Sequence, residues 1–262
     1  MEHIKSKSKI SSDYLDQQKS FHPDIRKEKD QRNAIVVGSD RKSNIGSSIS
    51  NGLRNVVNHV IEIDITDFDV CSEGMMHLLS SNSQYPVDTL VLANGETHLD
   101  WIEYQPREKI ISVIQNSLVA SVLASQEFIK ATLNDPGPKY IVFIGSMAYR
   151  AVLNASAPYC AAKAGLAHYA KCLAWELAPK GYNVFCVHPS NTIGTPMTEK
   201  TIQGLERYRG IERVEAEAYW GACLPKQEWL RPENIANTVS WLVGGEADYL
   251  SGSNIDMAGG QR

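Results

Sequence analysis

From Ala34 onward, short apolar runs alternate with segments whose apolar residues recur at helical spacing. Residues 34–37, 57–65, 88–93, 140–145, 183–188 and 254–257 read as strands. Residues 45–55, 70–81, about 108–132, a segment carrying Tyr159, and 233–243 read as helices. Strands that alternate with helices predict a parallel sheet covered on both faces. Right-handed crossovers make that sheet a single doubly wound, Rossmann-like α/β domain. Residues 1–32 break the pattern: they are rich in Lys, Ser, Asp and Gln and lack apolar periodicity, so they are expected to form a flexible extension ahead of a domain spanning 33–262. Residues 198–229 mix a charged helical stretch with aromatics.

Composition narrows the class. A chain of 262 residues with 43% hydrophobic content buries one full core. A formal charge of −4 speaks against nucleic acid as a partner. No apolar run reaches membrane-spanning length, and the first ten residues are too charged for a signal peptide. Asp13 and Asp16 count against a mitochondrial transit peptide, which leaves a cytoplasmic location as the expectation. The five cysteines, Cys71, Cys160, Cys172, Cys186 and Cys223, show neither Cys-x-x-Cys nor zinc-type His spacing, so no metal site is predicted. They read as buried thiols in a reducing compartment, with a reactive Cys160 beside Tyr159 as the lesser alternative.

The chemistry concentrates in IVFIGSMAYRAVLNASAPYCAAKAG, residues 141–165. An apolar strand ends at Ser146, and Tyr159 and Lys163 follow four residues apart, on one face of a helix. An ammonium beside a phenol favours the phenolate and is expected to lower its pKa from about 10. A serine hydroxyl at the strand end can hydrogen-bond the same substrate oxygen. Tyr-x-x-x-Lys by itself more often marks a solvated helix face. Here a strand ending in Ser precedes the pair and further strands flank it, and with that context the chain resembles the short-chain dehydrogenase/reductase family over residues 33–260.

The resemblance assigns further roles. Ser146, Tyr159 and Lys163 match the family's catalytic residues, and Asn116, in QNSLVAS, falls where the family has a fourth; a mid-helix Asn is otherwise unfavourable. The first strand-to-helix turn, GSDRKSNIG, would receive the pyrophosphate of a dinucleotide through Gly38, Asn44, Ile45 and Gly46. It is two residues longer than the family's ordinary glycine motif and closer in spacing to the enoyl reductases; otherwise it is a polar turn capped by Asn44. Too few residues lie between Gly46 and IEIDITD for the family's full complement, so one strand-helix unit is missing. IEIDITD resembles the third strand, with Asp64 and Ile65 at the adenine, and the second strand lost or merged. The usual acidic-or-basic test for NAD against NADP then does not apply. Arg41 and Lys42, in the first loop, can pair with a ribose 2′-phosphate, which tips the expectation to NADP(H) over NAD(H). Ala93, Asn94 and Gly95 would let the cofactor approach closely. Pro189, Ile193 and Thr195 match the family's nicotinamide-binding turn. His188, just before Pro189, reads as structural. Residues 198–229 fall where the family keeps a mobile substrate lid, and Tyr219, Trp220 and Trp229 either line a pocket or pack that lid.

The implied activity is interconversion of a carbonyl and a secondary alcohol on a small organic substrate by hydride transfer, with a Tyr/Lys/Ser/Asn proton relay. By resemblance the protein would be a homodimer or homotetramer. Two alternatives stand beside it. One is a non-catalytic nucleotide-binding regulator or subunit. The other is an enoyl reductase, although that group spaces its Tyr and Lys farther apart.

Overall fold

A computed structural model describes residues 32–39, 44–63, 87–222 and 224–261. Its strands are β1 (Asn33–Val37), β2 (His59–Ile63), β3 (Val87–Leu92), β4 (Lys139–Ile144), β5 (Tyr182–Pro189) and β6 (Asn254–Met257). They form one parallel sheet in the order β2-β1-β3-β4-β5-β6. The helices are α1 (Ile45–Leu53), α2 (Arg107–Ile114), α3 (Ala120–Thr132), α4 (Ala157–Leu177), α5 (Pro196–Arg209), α6 (Arg213–Ala222) and α7 (Pro232–Leu242). A π-helical turn, Gln115–Val119, joins α2 to α3. The expected doubly wound parallel sheet is therefore the architecture found.

The strand sequences explain this layering. Every residue of β1, β3 and β4 is buried, as expected of strands covered on both faces. Ile35, Leu90, Phe128, Phe143, Leu166 and Leu173 build the core on one face, beneath α3 and α4. Val36, Ile49, Leu53, Val142, Val239 and Leu242 build it on the other, beneath α1 and α7. Each fully buried aliphatic or aromatic side chain contributes about 1.5–3 kcal/mol relative to exposure, so these two clusters dominate stability.

Several sequence expectations shift. The strand expected over 57–65 is described only as His59–Ile63. It pairs directly with β1, Val37 opposite Ile63, the place of the second strand in the usual 3-2-1-4-5-6 order. The helix expected over 108–132 is broken by the π turn at the Asn116 position. Arg32, grouped by composition with the extension, is buried in the domain. Its guanidinium donates to Asp88 (3.3 Å), Thr89 (3.2 Å) and the Val243 carbonyl (2.6 Å). The proposed helix over 70–81, Arg41, Lys42, Asp64, Ile65, Cys71 and Cys223 lie outside the described residues, as do residues 1–31.

Candidate active site

The ends of β4 and β5 meet the first turns of α4, and this junction gathers the predicted chemistry. Ser146, extended at φ −167°, follows β4; its hydroxyl accepts from the Ala148 N–H at 3.2 Å and lies beside the Tyr159 phenol. Pro158 starts α4 without losing a helical bond. One turn later, Tyr159 and Lys163 share a buried face, with the ammonium 5.9 Å from the phenol ring centre. Lys163 Nζ donates to the Ile144 carbonyl at 2.9 Å. Met197, near the start of α5, packs on this group, its sulfur 3.8 Å from the Tyr159 hydroxyl.

Electrostatics depart from the spacing argument. Burial pushes the Tyr159 phenol up to about 12, and the Ser146 hydrogen bond only partly counters it. Burial also pulls Lys163 down to about 8. Removal from water penalises each charged form and outweighs what the two offer each other. The expected lowering of the phenol pKa is thus reversed, with Lys163 engaged by the Ile144 carbonyl.

Asn116 is built into a second cluster. Its main-chain carbonyl accepts from Asn94 Nδ2 at 2.8 Å, while its side-chain amide donates to Glu96 at 2.7 Å. Ser112 and Lys109 also donate to Glu96. Burial raises the Glu96 pKa, but hydrogen bonds from Ser112 and Asn116, with Lys109 nearby, outweigh it and hold the carboxylate below its usual range. A π turn releases a backbone carbonyl from the regular helical ladder, and here the Asn116 carbonyl is turned to the Asn94 side chain. Glu96, Ser112 and Met197 were missed by sequence reasoning. A carboxylate directly after Asn94-Gly95 was the one available signal.

The first loop and the β3 end close on each other. Gly38 has a left-handed φ of +83°, and a Cβ there would lie 2.9 Å from the Ala93 carbon and the Asn94 nitrogen. A Cβ on Gly46 would lie 2.3 Å from the Gly38 oxygen, and one on Gly95 3.4 Å from Lys163 Nζ. Asn44 caps α1: its oxygen accepts from the Ser47 N–H at 2.8 Å and its amide donates to the Gly38 carbonyl at 3.2 Å. Its side chain is therefore committed to the turn. Among the described residues the N–H groups of Ile45 and Gly46 take no such partner, which leaves a helix N-terminus open to an anion.

At the β5 end, Pro189 closes the strand and Ser190 N–H bonds Met257. Ile193 is half-exposed and donates its N–H to Leu230; Thr195 caps α5 through the Thr198 N–H at 3.1 Å. Most of the segment expected to form the lid lies in α5 and α6. Trp220 packs against Leu99, Ile202 and Leu205, and Tyr219 lies under Arg209 at 4.0 Å. Trp229 borders an open cavity of about 500 Å³ with Gly221, Leu224 and Pro225.

A family model described as Enoyl-(Acyl carrier protein) reductase matches residues 25–262. The chain is 28% identical over 227 residues to the 3-oxoacyl-[acyl-carrier-protein] reductase FabG of Rickettsia bellii, covering 86% of this chain and 80% of that relative. It is 28% identical over 229 residues to the Escherichia coli FabG, covering 87% of each. This chain is a short-chain dehydrogenase/reductase. The fold agrees: an actinorhodin polyketide ketoreductase solved with NADPH superposes with a TM-score of 0.80 at 23% identity, over 88% of this chain and 97% of that one. Sorbitol-6-phosphate 2-dehydrogenase SrlD from Erwinia amylovora gives 0.78 at 21% identity, over 87% and 99%.

As a short-chain dehydrogenase/reductase the protein is an NAD(P)-dependent oxidoreductase acting on carbonyl or CH–OH groups. The residues fit that cofactor. Gly38 and Gly46 let the first loop close tightly on the β3 end and on α1, whose first N–H groups have no partner among the described residues, and a side chain at Gly95 would crowd Lys163. No group of three or more His, Cys, Asp or Glu among the described residues is placed to hold a metal, and no described helix is long and apolar enough to cross a membrane.

Proposed function

We propose that this short-chain dehydrogenase/reductase reduces a carbonyl on a small organic substrate to a secondary alcohol, with Tyr159 as proton donor. The observation that carries this reading is the buried pair of Tyr159 and Lys163 on one face of α4, with Ser146 beside the phenol. A substrate carbonyl oxygen would replace the Met197 sulfur as partner of the Tyr159 hydroxyl, and Ser146 would hold that oxygen as charge develops on it. Lys163 would keep positive charge beside the phenolate left behind. Asn116, through its carbonyl, would fix the turn at Asn94-Gly95 against which the cofactor lies. When bound, the nicotinamide supplies the hydride in reduction and accepts it in oxidation.

Gly38, Ile45, Gly46, Ala93, Asn94 and Gly95 would receive the adenosine and phosphate half, with Asn44 shaping the loop. Pro189, Ile193 and Thr195 would receive the nicotinamide end. For the 2′-position two residue sets compete. Arg41 and Lys42 suit the 2′-phosphate of NADP(H). Asp64 follows the last residue of β2, the strand that takes the second-strand place, and an acidic residue there suits the 2′-hydroxyl of NAD(H). Two cations against one carboxylate favour NADP(H).

The 3-oxoacyl thioesters named for the FabG relatives are the first substrate class to try. The test is fluorescence titration with NADPH and NADH of the wild type, an Arg41→Ala/Lys42→Ala double variant and Asp64→Ala, followed by turnover of acetoacetyl-CoA and crotonyl-CoA. NADPH binding that the double variant loses, with turnover of the ketone, is expected. Turnover of crotonyl-CoA alone would transfer the chain to enoyl reduction, the reaction in the family model's description. No binding of either cofactor would make it a non-catalytic relative.

A further inference from the structure

We infer that His188 is a positioning residue for Ser146: it anchors the backbone of that serine so that its hydroxyl reaches Tyr159. This inference rests on the proton-donor role of Tyr159 proposed above. His188 is fully buried at the end of β5, and a buried imidazole is costly unless its nitrogens are bonded. Both are. Nδ1 lies 3.2 Å from the Ser146 nitrogen and 3.1 Å from the Ser146 oxygen; Nε2 lies 3.1 Å from Asn254 Oδ1 on β6. An amide oxygen can only accept, so Nε2 carries the proton, and the Nδ1 lone pair is left to accept from the Ser146 N–H.

The ring has no room to take another position. Tyr149 stacks on it at 3.9 Å and 26°, and the Tyr149 hydroxyl reaches Asp256 of β6 at 3.5 Å. On the other side a Cβ at position 145 would sit 2.3 Å from Nδ1, so only glycine can precede Ser146. The ends of β4, β5 and β6 are thus joined through one imidazole to the residue whose hydroxyl meets the phenol. A histidine retained only to fill space would not need its one lone pair aimed at that peptide.

The arrangement also gives the site a response to acid. The titratable groups around the ring are Tyr149 on the turn after β4, Asp256 on β6, Lys163 on α4 and Cys186 on β5. Burial, with Lys163 adding to it, holds His188 below its usual range against the raising effects of Asn254, Ser146 and Asp256. Once protonated, Nδ1 can only donate, so without moving it exchanges acceptance from the Ser146 N–H for donation to the Ser146 carbonyl at 3.1 Å, and the Ser146 N–H loses its acceptor.

The test compares His188→Leu, His188→Asn and Asn254→Ala, reading turnover of acetoacetyl-CoA with NADPH and, independently of turnover, the ¹³Cζ resonance of Tyr159 assigned with Tyr159→Phe. Expected for His188→Leu is a fall in kcat of about tenfold, the equivalent of one hydrogen bond, with little change in KM for NADPH. The Tyr159 resonance should shift. His188→Asn, which keeps an acceptor near Nδ1, should restore both, and Asn254→Ala should move the acid limb of the pH profile. In a Ser146→Ala background the same His188→Leu change should cost nothing further. Full additivity there, or an unshifted Tyr159 resonance in His188→Leu, overturns the positioning role. A shifted resonance in a protein that reduces no carbonyl leaves the positioning standing and removes the reductase reading instead.

Discussion

Replacing Gly46 by Ala sets two effects of opposite sign against each other at the mouth of the first loop. In a helix, Ala is favoured over Gly by up to about 1 kcal/mol, so propensity alone predicts a more stable protein. Packing predicts the reverse. The new Cβ would fall 2.3 Å from the Gly38 oxygen, 2.7 Å from its carbon and 2.9 Å from Ser39 Cα, all backbone atoms that no rotamer change can move aside. Either α1 or the Gly38 peptide must retreat by about 1 Å to reach ordinary contact. α1 is held by Ile49 and Leu53 in the core, and the Gly38 N–H is held by the Ile63 carbonyl at 2.8 Å. Overpacking of this kind costs about 1–3 kcal/mol, and losing the Asn44 bond to the Gly38 carbonyl adds about 1 kcal/mol. The clash wins by about 2 kcal/mol, which lowers Tm by roughly 4–8 °C for a domain of this size. Because the N–H groups of Ile45 and Gly46 move with it, NADPH affinity should fall at least about tenfold, the loss of one phosphate contact. Thermal unfolding and fluorescence titration check both. A variant as stable as wild type, with unchanged NADPH affinity, would refute the view that this turn closes around a phosphate.

Three further outcomes follow from the same geometry. Tyr159→Phe should lower kcat by about 10²–10⁴-fold while NADPH still binds; turnover near the wild-type rate would remove Tyr159 from the proton path. Lys163 titrates near 8 when folded against 10.5 unfolded, so the folded state gives up its proton first and stability rises with pH from 8 upward. The rise is about 1 kcal/mol over the unit from 8 to 9, a part of which the buried Cys186 thiol, raised to about 12 from 9, offsets as the unfolded thiol ionises. Urea unfolding of wild type and Lys163→Met at both pH values should show the rise only in the wild type. Arg32→Met should cost about 3–5 kcal/mol by removing a buried cation from beside Asp88, and a Tm within a degree of wild type would show that the network is dispensable.

The sheet was legible because buried parallel strands carry short apolar runs with few polar interruptions, as β1, β3, β4 and β5 do. The place of β2 was not. Its local sequence resembles one strand of the family, but neighbourhood in a sheet is set by which edge remains to be paired, and β1 offered that edge. The same limit applies within the site. Spacing put Ser146, Tyr159 and Lys163 together, since a strand end and one helical turn are local features. Glu96 comes to Asn116 only because a loop folds back on the π turn, and periodicity carries no trace of that.

Protonation is the property that spacing misjudged most, and it bears on direction. Counting residues places an ammonium near a phenol but says nothing of the water that both lose. With Tyr159 near 12, the phenol is almost wholly protonated at pH 7, which is the form a reductase needs at the start of each turnover. Oxidation needs the phenolate, and with Lys163 bonded to the Ile144 carbonyl and 5.9 Å from the ring, nothing yet stabilises that charge strongly enough. For the protein to run as a dehydrogenase, Lys163 must leave Ile144 and approach the phenol. The optimum for alcohol oxidation should accordingly lie at higher pH than that for carbonyl reduction, and coincident optima would mean that the 159–163 pair exchanges protons by some other route.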